Sequence, residues 1–177
     1  IPVINALTDE AHPLQALADA MTIRERFGRL DGVRLTYLGD GNNVCASLMR
    51  IAGRFGMHFV AACPAGYEPR GDVVAAARAD AEAQGGSVTL TAHPTEACEG
   101  AGVLYTAVWV SMGQDAERDQ RVADLDRFAL DGELLAMAAP GALSMHCLPA
   151  HEGEEISTDA LYGAQSAVWD QAENRLH

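Results

Sequence analysis

Basic residues are scarce in this chain. Its 12 lysine and arginine residues stand against 25 aspartate and glutamate residues, which gives a net charge of −13 and an isoelectric point of about 4.7. A nucleic-acid partner requires a basic surface that neutralises phosphates, and an anionic membrane attracts basic segments in the same way. We therefore expect no nucleic-acid partner and no membrane partner. Long apolar runs are also missing, since none approaches the roughly 20 residues that span a bilayer.

Paired cysteines are missing too. The four cysteines, Cys45, Cys63, Cys98 and Cys147, include no C-x-x-C pair, and their spacing is unlike that of a disulfide framework. We therefore expect no metal site and no disulfide, and we assign the thiols to a reducing, cytoplasmic compartment. All except Cys147 are expected to be buried as small hydrophobic side chains.

Internal repeats, low-complexity linkers and a signal-peptide pattern are absent as well. The 177 residues, 49% of them hydrophobic, fit a single domain that can bury its own core. The chain opens on Ile1-Pro2-Val3-Ile4 without an initiator Met, so we expect a fragment or a processed chain in which residues 1–177 form one domain.

The chain does contain a regular alternation of strand and helix patterns. Short hydrophobic runs predict five strands, and apolar residues at helical spacing predict helices between them. This alternation predicts an α/β fold with a doubly wound, Rossmann-like parallel sheet covered by helices on both faces. The predicted strands are 33–38, 57–62, 88–91, 103–108 and 142–146, and the predicted helices lie near 14–21, 44–55, 72–84, 96, 115–137 and 164–176.

Open sheets of this kind bind ligands beyond the carboxyl ends of their strands. Three loops rich in polar residues follow predicted strands here, at residues 39–43, 109–113 and 146–151. We therefore expect a ligand site at this edge of the sheet.

The segment His12-Pro13-Leu14-Gln15 is typical of a helix start. Pro13 suits the first helical turn, and a helix N-terminus offers free N–H groups that attract anions and carbonyl oxygens. His12 and Gln15 could therefore hold a carbonyl or phosphate oxygen. The alternative is a capped surface helix with an incidental histidine.

The loops after the first and fourth strands allow two interpretations. Residues 39–43 lack the third glycine of a dinucleotide fingerprint and the Lys-Ser/Thr pair of a phosphate-binding loop. Asn43 could cap the next helix and still offer its amide to a substrate carboxylate. Backbone N–H groups near Ser111, Met112 and Gly113 could likewise meet a carboxylate. Plain connecting turns are the alternative in both places.

The segment His146-Cys147-Leu148-Pro149 suggests a catalytic dyad that strand geometry argues against. Adjacent residues on a strand point to opposite faces, so His146 cannot readily activate Cys147. A buried structural thiol is the alternative for Cys147. Near the C-terminus, Arg175 could offer a planar fork to a phosphate, or it could be a surface residue of a mixed-charge helix.

Taken in order, five motifs of this chain resemble the ornithine carbamoyltransferase family. No other family known to us carries all five. The matching stretches are residues 3–22, 37–43, 105–114, 145–151 and 170–177, and the motifs are His-Pro-x-Gln, Asp-Gly-Asn-Asn, Val-Trp-Val-Ser-Met-Gly, His-Cys-Leu-Pro-Ala-His and Asp-Gln-Ala-Glu-Asn-Arg.

The resemblance implies a site for carbamoyl phosphate. His12 and Gln15 match the family's ligands to the carbamoyl group, and Arg175 matches a carbamoyl phosphate contact. Cys147 and Leu148 match the segment that lines both substrates. His12 is expected to contact the developing oxyanion, and Cys147 is expected to orient the reactants rather than attack.

The resemblance also implies a site for L-ornithine, with two departures from the family. Asn43 matches an ornithine contact, and Ser111 and Met112 match a loop that closes on ornithine. Ala107 stands where the family has an Asp that receives the α-ammonium of ornithine. Losing one partner of a desolvated charge pair can cost about 2–5 kcal/mol, so we expect weakened ornithine binding or another acceptor amine. Glu152 stands where the family usually has Arg.

The implied reaction is carbamoyl transfer from carbamoyl phosphate to the δ-amine of ornithine, giving citrulline and phosphate. It needs no metal and no organic cofactor. The family's phosphate-gripping Ser-Thr-Arg-Thr-Arg motif is absent, so this chain is expected to be the ornithine-binding domain of a two-domain subunit, without the N-terminal carbamoyl phosphate-binding domain. A homotrimer or higher homo-oligomer is implied. Two alternatives stay open: an acceptor such as putrescine, aspartate or a modified ornithine, or an inactive binding or regulatory homologue.

Overall fold

The computed structural model describes residues 1–111 and 113–177. The described part contains five strands, β1 (Arg34–Leu38), β2 (His58–Ala62), β3 (Ser87–Thr91), β4 (Val103–Thr106) and β5 (Leu143–His146). Its α-helices are α1 (Pro13–Phe27), α2 (Asn43–Arg54), α3 (Gly71–Gln84), α4 (Pro94–Cys98), α5 (Arg118–Leu125), α6 (Gly132–Met137), α7 (Thr158–Tyr162) and α8 (Val168–Glu173).

The strands form one parallel sheet in the order β3-β2-β1-β4-β5. The chain adds β2 and β3 on one side of β1 and then returns to add β4 and β5 on the other side. This confirms the predicted doubly wound α/β fold. The reversal places a topological switch point between the carboxyl ends of β1 and β4, where open sheets form a crevice for ligands.

Each face of the sheet packs against helices and buries its own core. Side chains alternate between the faces along a strand, so Leu35 and Tyr37 of β1 join one core while Leu38 joins the other. The first core includes residues of α1, α2 and α3, and the second includes residues of α4, α6, α7 and α8. Cys45, Cys63 and Cys98 are buried and free, in agreement with the sequence prediction.

Two predicted helices are wrong in extent. The range 115–137 contains α5 and α6 separated by a 3-10 turn, Asp126–Phe128, because the carboxylate of Asp131 accepts from the Leu134 N–H at 2.9 Å and starts a new helix. The range 164–176 contains α8 alone, because residues 165–167 pair with the Ser144 backbone before the helix begins.

Smaller corrections concern element ends. The fourth strand ends at Thr106 rather than at residue 108, and Ala107 already belongs to the loop that follows it. The N-cap of α2 is Asn42, whose side chain accepts from the N–H groups of Val44 and Cys45, so Asn43 is the first helical residue and does not cap. No helix within residues 1–111 and 113–177 is long and apolar enough to cross a bilayer.

Candidate active site

The loops that line the crevice are tied together by Arg121 of α5. Its guanidinium pairs with Asp40, which follows β1, and its Nε donates to the carbonyl oxygen of Trp109, which follows β4, at 2.7 Å. Arg121 and Asp40 have side chains that are only 9% and 14% exposed. Burial raises the pKa of Asp40 even though Arg121 opposes this shift. The pair therefore fixes the two loops relative to each other.

His12 stands at the start of α1, as predicted, but its side chain caps nothing. Its backbone N–H donates to Ser47 Oγ of α2 at 2.8 Å, which fixes this end of the helix. Its Nδ1 is buried and meets no hydrogen-bond partner in the described part of the chain. Burial, and then the positive charge of Arg175, lower the pKa of His12, so the imidazole is neutral near pH 7. A neutral imidazole can still donate a hydrogen bond to a developing oxyanion.

Gln15 lies one turn further along α1 and is 1% exposed. Its amide nitrogen donates to Asp19 Oδ1 at 2.8 Å, and its amide oxygen accepts from Arg175 Nη1 at 2.6 Å. The structure thus brings together two of the predicted carbamoyl phosphate ligands, Gln15 and Arg175, and adds a carboxylate beneath them. Arg175 lies just after α8 and remains exposed, so its guanidinium can also face a ligand.

Asp19 is fully buried and accepts three hydrogen bonds. Besides Gln15, the donors are Gln171 Nε2 of α8 at 2.6 Å and the hydroxyl of Tyr105 on β4 at 3.1 Å. Gln171 also donates to the Tyr105 hydroxyl at 3.0 Å and accepts from the His146 N–H at 3.0 Å. Burial raises the pKa of Asp19 to about 7, against the opposing effect of the hydrogen bonds from Gln15, Gln171 and Tyr105.

Cys147 is half-buried directly after β5 and packs beside the first core. Burial, and then the charge of Asp19, raise the pKa of its thiol to about 12. A thiol of this kind is protonated at neutral pH and is a poor nucleophile. The environment therefore agrees with an orienting role and not with covalent catalysis.

His146 faces away from Cys147 and contacts Glu155. Its Nδ1 accepts from the Leu148 N–H at 2.9 Å, so the imidazole proton is on Nε2, which lies 3.2 Å from Glu155 Oε1. The same carboxylate oxygen accepts from the His151 N–H at 2.6 Å. Although burial opposes it, these hydrogen bonds lower the pKa of Glu155. This pair, buried on both sides, holds the loop that carries Cys147 and Leu148.

Three of the predicted ornithine contacts, Asn43, Ser111 and Ala107, lie within the described residues and form no hydrogen bonds with one another. The Asn43 amide donates to the carbonyl oxygen of Thr8 at 2.7 Å, and the Ser111 N–H donates to Gln114 Oε1 at 2.9 Å. Met112 lies outside the described residues. Ala107 follows β4 and is 1% exposed, so its methyl group is buried at the base of the crevice.

Glu152 does not belong to this group of residues. Its carboxylate accepts from the hydroxyls of Thr158 and Tyr162, both at 3.0 Å, on the outer side of the loop after β5. Nearby, His151, Glu154 and Glu155 bring three ligand atoms within 4.8 Å of one another. Protein groups already approach both carboxylates, because Glu154 pairs with Arg118, and Glu155 accepts from the His151 N–H and lies 3.2 Å from His146 Nε2.

Models of protein families match almost all of this chain. Residues 31–177 match the Asp/Orn binding domain of aspartate/ornithine carbamoyltransferases, and residues 1–25 match the carbamoyl-P binding domain of the same proteins. This chain belongs to the aspartate/ornithine carbamoyltransferase family. The resemblance carried by the five sequence motifs is thereby confirmed.

Individual carbamoyltransferases of the family are similar over the whole chain. The ornithine carbamoyltransferases of Acidothermus cellulolyticus and Methanoculleus marisnigri are 54% and 52% identical over all 177 residues, which make up 57% and 56% of those proteins. The solved ornithine carbamoyltransferase of Pyrococcus furiosus superposes with a TM-score of 0.96 at 48% identity, covering all of this chain and 56% of that one. The chain thus spans little more than half the length of these relatives.

Four residues that the structure adds to the candidate site were not predicted from the sequence: Asp19, Tyr105, Gln171 and Arg121. For two of them a signal was present. Gln15 and Asp19 are four residues apart on α1, and Gln171 and Arg175 are four residues apart at the last helix, so each pair lies on one helical face. Sequence spacing could not show that these two pairs contact each other across the site, since the contact depends on how α1 packs on α8.

Proposed function

We propose that this chain is the ornithine-binding half of an enzyme that transfers the carbamoyl group of carbamoyl phosphate to L-ornithine, giving L-citrulline and phosphate. The observation that carries the proposal is the convergence of His12, Gln15, Arg175 and Cys147 at the carboxyl edge of the sheet. The names of the similar proteins and of the two matching domain models support it.

The proposed domain assignment follows the division of the chain between the two matching family models. The match of residues 31–177 supports an ornithine-binding domain, and the match of residues 1–25 supports a short contribution to the carbamoyl phosphate-binding domain. The remainder of that second domain lies outside residues 1–177 under this proposal. Turnover then requires the full-length protein.

Carbamoyl transfer needs alignment of the reactants and charge stabilisation rather than a protein nucleophile. The δ-nitrogen of ornithine forms a bond to the carbamoyl carbon, the bond from that carbon to the phosphate oxygen breaks, and the amine proton leaves with phosphate or solvent. Under the proposal, neutral His12 donates to the carbonyl oxygen as negative charge develops on it. Gln15 orients the carbamoyl group, Arg175 pairs with the phosphate, and Leu148 lines the pocket.

Cys147 orients the acceptor amine in this scheme. Its pKa of about 12 keeps the thiol protonated, so it can act as a weak hydrogen-bond donor or acceptor beside the reacting nitrogen. No metal or organic cofactor takes part in the proposed steps.

The ornithine side of the site uses the loops after β1 and β4. Asn43 and the N–H groups around Ser111 and Met112 would receive the α-carboxylate. Ala107 leaves the α-ammonium without its counter-charge, so ornithine binding is expected to be weak. Ala107 is also the feature that favours a second candidate, a carbamoyltransferase whose acceptor amine carries no α-ammonium at this position.

The deciding experiment measures citrulline formation by the full-length protein. Carbamoyl phosphate is supplied with ornithine, putrescine or aspartate in separate reactions. Product with ornithine supports the proposal, whereas product with another amine alone supports the second candidate. A folded protein that binds carbamoyl phosphate but turns over none of the amines contradicts both and supports an inactive binding homologue. Arg175→Met should weaken carbamoyl phosphate binding, while Arg127→Met, on the 3-10 turn after α5, serves as the matched control.

The assembly and the compartment are also proposals. A homotrimer or higher homo-oligomer would place the exposed apolar side chains of α1, Leu14, Leu17 and Met21, against other parts of the assembly. Sedimentation of the full-length protein tests this. Four free cysteines support a reducing, cytoplasmic setting.

A further inference from the structure

Asp19 is a fully buried acidic group in the described part of the site, and the proposed reaction assigns it no role. Its carboxyl group is 0% exposed and lies between α1, α8 and β4. Three donors converge on it, and each comes from a different element. A fully buried acidic group kept in a polar network needs a reason, because an apolar side chain of similar size would avoid the desolvation cost.

The Gln15 amide shows what the carboxyl group does locally. A glutamine amide presents a donor on one side and an acceptor on the other, and nothing in its shape decides which side faces which neighbour. Oδ1 of Asp19 accepts from the Gln15 nitrogen at 2.8 Å, and it also accepts from Gln171 at 2.6 Å. A carboxylate oxygen that accepts from Gln171 repels the amide oxygen of Gln15 and attracts its N–H group. That oxygen must therefore point the other way, where Arg175 donates to it at 2.6 Å.

The orientation of Gln15 has a chemical consequence. With its oxygen turned toward Arg175, which the proposed function places against the phosphate, Gln15 offers an acceptor to the amino group of a carbamoyl donor. If the Gln15 amide were reversed, its N–H groups would face the amino group of the ligand. That amino group offers only hydrogen-bond donors, so no hydrogen bond could form. The orientation therefore favours a carbamoyl group over an acetyl group of the same size, because a methyl group leaves the acceptor unpaired.

We propose that Asp19 is a positioning residue that fixes the Gln15 amide with its oxygen toward the ligand and so selects carbamoyl over acetyl donors. The inference rests on the proposed function, since it concerns the donor substrate of that same site. Asp19 touches no substrate itself and acts through Gln15. Through Tyr105 and Gln171 it also connects this amide to β4 and to the backbone of His146, directly before Cys147.

The test compares two ligands that differ only in the recognised group. Phosphonoacetamide carries an amino group on its carbonyl carbon, and acetonylphosphonate carries a methyl group there. Titration calorimetry of the full-length protein at pH 8 gives a Kd for each, and the ratio of the two reports the contact made by Gln15. Wild type is expected to prefer the amide by about tenfold, the value of one good hydrogen bond in a desolvated site.

Asp19→Ala should bring this ratio close to one, because the freed Gln15 amide can turn over. Asp19→Asn keeps an oxygen that can accept from Gln15 and should hold the ratio within about threefold of wild type. Asp31→Asn, on the exposed turn before β1, is the matched surface control and should change nothing. If Asp19→Ala does not fold, Asp19→Ser replaces it, because its hydroxyl is one bond too short to reach the same amide.

The outcomes separate this inference from the proposed function. If Asp19 has a purely structural role, Asp19→Ala should have a lower melting temperature and a lower active fraction, but the ratio of the two Kd values should stay at the wild-type value. That result would overturn the inference and leave the proposed function standing. An Asn variant that loses the ratio while the Ser variant keeps it would also overturn it. Wild type that binds neither phosphonate would overturn the proposed function and the inference together.

Discussion

Replacing Ala107 by aspartate should tighten the binding of ornithine to the full-length protein. Ala107 follows β4 at the base of the crevice and is 1% exposed, so the introduced carboxylate would be almost fully removed from water. A cationic ligand that reaches it would meet a charge screened by very little solvent. The α-ammonium of ornithine is the group expected to lie there.

The size of the effect follows from the burial of this position. A desolvated, hydrogen-bonded charge pair is worth about 2–5 kcal/mol, so the Kd for ornithine should fall by a factor of about 30 or more. The free protein should become less stable at the same time, since an unpaired buried carboxylate costs at least the roughly 1–3 kcal/mol of an unpaired neutral group. Ornithine should therefore raise the melting temperature of Ala107→Asp by more than that of wild type.

The assay is titration calorimetry with ornithine in the presence of saturating phosphonoacetamide. Ala107→Asn is the matched control, because it has nearly the same shape without the charge and should gain little. The ligand control is 5-aminopentanoate, which keeps the δ-amine and the carboxylate but lacks the α-ammonium. No gain for ornithine, or an equal gain for 5-aminopentanoate, would refute the assignment of Ala107 to the α-ammonium.

Three further predictions concern other residues. Burial raises the pKa of Asp19 to about 7, so the folded protein favours the protonated carboxyl group. The stability that this preference gives is complete below about pH 4 and is lost as the pH rises through 7. The loss in the free energy of unfolding is about 4 kcal/mol at most. The melting temperature of Asp19→Asn relative to wild type should therefore increase between pH 4 and pH 8, and a constant difference would contradict this. Glu155→Ala removes the acceptor of the part-buried His151 N–H and the carboxylate 3.2 Å from the buried His146 Nε2, so it should lower the free energy of unfolding by about 1–3 kcal/mol, with a smaller loss for Glu155→Gln in the same denaturation series. Gly41→Ala should cost about 1–3 kcal/mol, because its Cβ would lie 2.7 Å from the backbone of the loop before α3, whereas Gly71→Ala meets nothing and should melt close to wild type.

Local patterns were sufficient for the strands and for the edge at which the site lies. Each predicted strand exists to within two residues, because short hydrophobic runs between turn residues are governed by local geometry. The prediction that adjacent strand residues point to opposite faces also agrees with the structure, in which His146 contacts Glu155 and Cys147 packs beside the other core.

Local patterns failed where a tertiary partner changes the backbone. Residues 165–167 have helical periodicity, yet the backbone of Ser144 on β5 hydrogen-bonds to Gln165 and Ala167 and keeps them out of the helix. Asn42 and Asn43 are equally good caps by composition, and Asn42 takes the role because its side chain also accepts from the Tyr37 hydroxyl at 3.2 Å. Neither the non-helical backbone of residues 165–167 nor the choice of Asn42 as the cap is determined by the residues directly beside it in the sequence.

The sequence by itself determined the α/β class, the parallel alternation and the family through five ordered motifs, and its resemblance to that family predicts His12, Gln15, Cys147 and Arg175 as site residues. Only the tertiary structure decided that Asp19 joins Gln15, Tyr105 and Gln171 in one buried network and that Arg121 ties the crevice loops through Asp40. Sequence patterns report periodicity and local chemistry. Which buried polar groups meet depends on contacts between residues up to 152 positions apart, and those contacts exist only once α1, α8 and the sheet have packed together.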